Sequence, residues 1–161
     1  MSVCKNLKGS FKLTEVYPVE ALPMEVKASI NSVLEARKKA YAPYSGFLVG
    51  AAIITESGKV ITGSNNETIN HDGYCAEATA IGNWNDAGAE KAAYIITAGA
   101  PNTGEPDANE FATPCGRCRQ RLVERFDLET PIICLNQTFD SFRLFTPGFL
   151  LPFAFYPKCL V

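Results

Sequence analysis

Two stretches of this chain, some forty residues apart, open in the same way. Cys75-Ala-Glu77 begins a segment of helical character running to about Ala87, and Pro114-Cys-Gly-Arg-Cys118 begins another running to about Phe126. Between them lies the short apolar run AAYIITAG, Ala92 to Gly99, which reads as a buried strand. A strand flanked by helices is the repeating unit of an α/β layer. Cysteines at both helix starts can then meet at one site, which few other arrangements of the chain allow.

The flanking pattern extends the same architecture. MEVKASINSVLEARKKA places Val26, Ile30, Val33 and Leu34 at helical spacing, and Pro43 in YAPYSG ends that helix. FLVGAAIIT and KVITGSN, separated by a turn containing Gly58, read as a β-hairpin. TPIICLN and SFRLFT are two further short strands, followed by a tail rich in aromatics and proline. The order predicts an α/β fold, a three-layer α/β/α sandwich around a central mixed β-sheet of about five strands, with later strands joined through helices and so parallel. Residues 1–22 show no period and are expected to form an N-terminal arm. Residues 23–161 are expected to form a single domain. The one long loop, AGAPNTGEPDANEFATP, precedes the second cysteine pair and is placed to frame a pocket.

Charge narrows the partners. A formal net charge of -2 and a pI near 5.5 give no polycation to grip a phosphate backbone, so a nucleic-acid polymer is not expected. No apolar run approaches the roughly 20 residues of a membrane span. The first residues, with Lys5, Lys8 and Lys12 scattered among them, lack the apolar core of a signal peptide. The chain is expected to be cytoplasmic, where six cysteines are better read as metal ligands, reactive thiols or packing groups than as disulfides.

Zinc favours thiolate sulfur, and a catalytic zinc keeps three protein ligands and one open position. Cys115 and Cys118 can hold one ion from the first turn of a helix, and Cys75 is the natural third ligand. Two helix N-termini, each carrying about half a positive charge, would offset part of the thiolate charge and lower the thiol pKa values. Glu77 is within one helical turn of Cys75, where a carboxylate can exchange protons with an activated water. A structural zinc remains open as an alternative. It needs a fourth ligand, for which His71, Cys134 and Cys4 are the poor candidates. Cys134 lies in an apolar strand and is expected to be core, and Cys159 has no partner at ligand spacing.

Zinc nucleobase deaminases pair His- or Cys-x-Glu with Pro-Cys-x-x-Cys, and this chain shows Cys75-Ala-Glu77 and Pro114-Cys-Gly-Arg-Cys118. With YAPYSGFLVGAAI, GSNNE, TPCGRCRQ and LLPFAF as well, it closely resembles the small cytidine deaminases from about Val33 to Phe155. The resemblance implies one zinc ion per chain on Cys75, Cys115 and Cys118, with zinc-bound hydroxide attacking C4 of the pyrimidine. Glu77 would shuttle protons to N3 and to departing ammonia. It further implies that Phe47 lies near the base and that Asn65 and Glu67 bond the ribose hydroxyls. The Ala76 amide would hold the pyrimidine carbonyl and the Thr113 carbonyl the exocyclic amine. Phe155 would reach a neighbouring subunit's base in a homotetramer with shared active sites. The implied reaction is deamination of free cytidine and deoxycytidine.

Two departures bear on substrate. Relatives with three cysteines usually carry Arg where this chain has Ala78, and Arg117 and Arg119 are candidates to supply the missing positive field. The linker from Thr68 to Tyr74 is shorter than usual and holds the lone His71, while Tyr74 stands where a small aliphatic is common. Blasticidin S deaminase, a related branch, shares the absent Arg, so blasticidin S or another modified cytosine nucleoside is the alternative substrate. The Asn65-x-Glu67 pair favours a ribose diol, since a buried polar group left unpaired costs about 1–3 kcal/mol.

Overall fold

The computed structural model describes residues 3–155 and 157. Its centre is built from the apolar runs. Strands β2 (Phe47–Thr55) and β3 (Val60–Ser64) form the antiparallel hairpin, turning at Gly58 with φ +88. On the other side of β2, β4 (Ala92–Pro101) runs antiparallel to it from Phe47↔Pro101 to Thr55↔Ala92. Strand β5 (Ile132–Leu135) lies parallel to β4, as a helical crossover demands. β6 (Ser141–Phe145) returns antiparallel to β5, and β1 (Val16–Pro18) adds to β6. The sheet order is β1-β6-β5-β4-β2-β3.

The sheet is mixed and sandwiched between helices, as expected, but has six strands rather than about five. The additional strand is β1, three residues from the aperiodic N-terminal segment, too short to show alternation. One face carries α1 (Val3–Ser10) and α2 (Met24–Arg37), which bury Leu7, Val26, Ile30 and Val33 against Ala52, Ile54, Ile96 and Ile133. The other carries α3 (Ala76–Asp86), α4 (Gly116–Arg125) and the short α5 (Pro147–Leu150), with Ala80, Trp84, Leu122 and Leu150 against Ala51, Ile53, Ile95 and Ile132. Strands covered on both faces need continuous apolar sequence, which is why β2, β4 and β5 read as unbroken runs. Each fully buried Ile or Leu contributes roughly 1.5–3 kcal/mol. Cys134 is core, as expected, and burial pushes its thiol up to about 12. Cys159 lies outside the described residues.

Two glycines let helices touch the sheet. A Cβ on Gly50 would run into the Val33 carbonyl and the Arg37 amide of α2. A Cβ on Gly63 would meet the Ala80 amide and the Ala76 carbonyl of α3. The second contact seats the first turn of α3 on β3 and so fixes where Cys75 stands.

Candidate active site

Cys75 occupies the N-cap of α3 and Cys115 the N-cap of α4, with Cys118 in the first turn of α4. The N-termini of the two helices thus meet at the thiols, where their positive ends favour thiolate. The Sγ atoms of Cys75, Cys115 and Cys118 all lie within 4.8 Å of one another, and those of Cys75 and Cys115 are 3.5 Å apart. Three sulfurs on a tetrahedral zinc at about 2.3 Å stand about 3.8 Å apart, so the cluster fits that ion. Among the described residues no fourth ligand joins it. Cys134 is in the sheet, and His71 lines the cavity above without belonging to the cluster.

The cluster is electrically strained without a cation. The Cys118 thiol, the Cys115 thiol and the charges of Arg117 and Arg121 together lower the Cys75 pKa to about 5. Cys118 is driven up, by its hydrogen bond to Cys75, by burial and by the nearby Glu77 charge. A cation among the three sulfurs would offset the charge that keeps them from ionising together.

Glu77 is 7% exposed, and burial raises its pKa above the ordinary carboxylate value, with the Cys75 charge adding to the effect. It forms part of the wall of a cavity of about 570 Å³ that opens above Cys75 and Cys115. Phe47, Asn65, Glu67, Ala76 and Thr113 line the same cavity, so the structure gathers all but one of the residues singled out from the sequence around the cluster. Phe155 is the exception: it is exposed, its carbonyl accepts from Gln120 Nε2 at 2.7 Å, and it lies outside this cavity.

Hydrogen bonds specify how the wall is set. The Glu67 carboxylate accepts from the Ser45 hydroxyl and from the Tyr44 and Ser45 amides, and the Ser45 bond is the main reason its pKa is lowered. Asn65 accepts from the Val49 amide at 2.8 Å and donates to the Phe47 carbonyl at 2.9 Å. The ring of Phe47 rests on Gly99, where any Cβ would fall 2.8 Å from its Cε1. Asn66 and Tyr74 exchange a pair of backbone hydrogen bonds, both 2.9 Å, that close the loop carrying His71. His71 has φ +59 and a ring 6.5 Å from that of Tyr44.

Sequence reading missed two features. Arg119 does not serve the thiolates: it donates to the Pro114 carbonyl at 2.8 Å and to that of Leu150. Arg121 is the further cation that acts on both Cys75 and Glu77. Its place four residues after Arg117, on one face of α4, was the available signal. Ala78 faces away from the cavity and lines a separate polar depression with Lys39, Asn83 and Asp86.

Residues 24–132 match the family described as the cytidine and deoxycytidylate deaminase zinc-binding region. The chain belongs to that family. The cytidine deaminase of Halalkalibacterium halodurans is 33% identical over 133 residues, covering 82% of this chain and 95% of the relative. That of Sporosarcina psychrophila is 34% identical over 135 residues, covering 82% and 92%. The crystal structure of cytidine deaminase from Burkholderia pseudomallei superposes with a TM-score of 0.68 at 39% identity, over 80% of this chain and 97% of that one. The three thiols form a cluster that could hold zinc within that region, and the chain is a zinc-dependent enzyme acting on a C–N bond. No helix among the described residues is long and apolar enough to cross a membrane.

Proposed function

We propose that the chain hydrolyses free cytidine and deoxycytidine to uridine and deoxyuridine plus ammonia, with Glu77 as the proton carrier. The observation that carries this is the buried Glu77 carboxyl in the cavity wall beside three convergent thiols. Cys75, Cys115 and Cys118 would hold the zinc, which would supply the Lewis acidity that lowers the pKa of a water to about 7. Glu77 takes a proton from the attacking water and delivers it to N3 as the new C4–O bond forms. It then takes the remaining hydroxyl proton and gives it to the amine, the C4–N bond breaks, and ammonia leaves. Burial favours this role, because a carboxyl whose pKa is raised takes up a proton more readily than a surface carboxylate does.

The cavity wall supports the rest of this reading. Phe47 and Val49 offer an apolar surface to the base, and Glu67 and Asn65 offer polar groups to the sugar. The Ala76 amide, at the first position of α3, has no acceptor within its helix and is free for the pyrimidine carbonyl. The Thr113 carbonyl is the acceptor for the amine. Among the described residues the cavity lining contains no Lys or Arg, which favours a neutral nucleoside over a phosphorylated or polymeric substrate. Tyr41, Tyr44, Ile69, Tyr74 and Phe155 are large exposed side chains, and Tyr44 and Tyr74 line the cavity. They suit contact with further copies in a homotetramer whose Phe155 side chains enter neighbouring sites.

The test is Glu77→Gln. Zinc content and fold are expected to hold while turnover of cytidine, followed by ultraviolet absorbance, falls by about 10²- to 10⁴-fold. An active, zinc-loaded Gln variant would remove the proton-carrier role. Parallel assays with deoxycytidine and blasticidin S separate the ribose-directed reading from the modified-nucleoside alternative.

A further inference from the structure

The cavity end of β2 is held by side chains as well as by sheet pairing. The Phe47 amide donates to Ser45 Oγ at 3.0 Å, and the Phe47 carbonyl and Val49 amide are both taken by Asn65. These groups approach from the loop and from the end of β3. The carbonyl between them, that of Leu48, is taken from the opposite face of the sheet by Arg37, the last residue of α2, whose Nε donates at 3.0 Å.

Arg37 does more than hold one strand. Its Nη2 donates to the Ala100 carbonyl at 2.8 Å and to that of Pro101 at 3.3 Å. Leu48 pairs with Ala100 and Phe47 with Pro101 in the β2–β4 ladder, so one guanidinium ties both strand ends at their last two rungs. Its carbon lies 5.3 Å from the Phe139 ring centroid. No carboxylate pairs with it among the described ion pairs, and burial lowers its pKa. A half-buried cation without an acid partner is costly, and its donors go to carbonyls framing the seat of one aromatic ring. That ring, Phe47, lies over Gly99 and near Ala112, the two residues a shifted β2 end would collide with or leave.

We propose that Arg37, which does not line the cavity, is a positioning residue that fixes the Phe47 ring for the pyrimidine. The proposal rests on the reading of Phe47 as the base contact. A lysine cannot replace it, since one ammonium cannot span three carbonyls on two strands in the planar fork that Arg supplies.

The test is steady-state kinetics with cytidine on zinc-loaded Arg37→Met, Arg37→Lys, Phe47→Ala and the Phe47→Ala/Arg37→Met double variant. Loss of these charge-assisted bonds is expected to raise KM about tenfold in Arg37→Met with kcat within about threefold. Arg37→Lys recovers only part of the loss, and serves alone should the Met variant not fold. In the Phe47→Ala background, Arg37→Met should add less than about twofold to KM, because the ring it acts through is gone. Arg37 variants that melt earlier yet keep a wild-type KM would show a structural role only and overturn the proposal. Equal effects of Arg37→Met with and without Phe47 would also overturn it. A wild-type KM in Phe47→Ala would instead remove the base-contact reading, and the proposal with it.

Discussion

At the scale of single residues, the cavity turns on neighbours that share a proton economy. Cys75, held down to about 5, and Cys118, driven up, are chemically the same group in opposite settings. A cation in their midst removes that conflict, so Cys118→Ala is expected to lose zinc, with metal per chain falling to near zero by elemental analysis. The same variant should keep its far-ultraviolet spectrum, because Cys118 contributes only a small side chain to the α4 seam. These residues were legible in the sequence because ligand spacing is local: Cys-x-Glu and Cys-x-x-Cys each fit within one helical turn. Arg121 was not legible as part of the site, since its reach to Cys75 depends on how α3 and α4 pack. Nor could the sequence tell that Asn65 would brace β2, because the partners are 16 and 18 residues away.

At the scale of elements, small residues set helix positions and carboxylates set turns. Gly63→Ala should drive a methyl group into the first turns of α3, costing about 1–3 kcal/mol in urea denaturation. Because Cys75 caps that helix, zinc affinity measured against a competing chelator should fall as well. Glu90 binds the β2–β3 turn through the Ser57 amide and hydroxyl and pairs with Lys59. Those bonds, the Ser57 hydroxyl's first, hold its carboxyl below the ordinary 4.5. A carboxyl lowered on folding adds stability above its unfolded value and loses it as the pH falls through the lower folded one. Glu90→Gln should therefore melt below wild type at pH 7, and the gap should close as the pH drops below 4.5. The paired apolar runs announced β2 to β5 plainly, whereas β1 could not be foreseen: its three residues form a strand only because β6 offers an edge.

At the scale of the whole molecule, the N-terminal segment is packed into the same core as the rest. Leu7 is fully buried, and Phe11 packs edge-on and Tyr17 at a tilt against Phe142, at centroid distances of 5.1 and 5.8 Å. Leu7→Ala should cost about 2–5 kcal/mol. It should leave kcat/KM per bound zinc unchanged, because α1 covers the sheet face opposite α3 and α4. Packing at Leu7 is thus separated from the thiol cluster by the thickness of the sheet. A further separation lies within the site itself, at the paired backbone bonds of Asn66 and Tyr74. They act as a buckle: the loop from Glu67 to Gly73 begins and ends at one fixed point, directly before Cys75 of the thiol cluster. Changes at residues 68–72 are thereby separated from the ligand beside the loop. The reaction can stay constant while the choice of sugar drifts, and an engineer seeking new nucleosides would randomise residues 68–72 and leave the buckle alone.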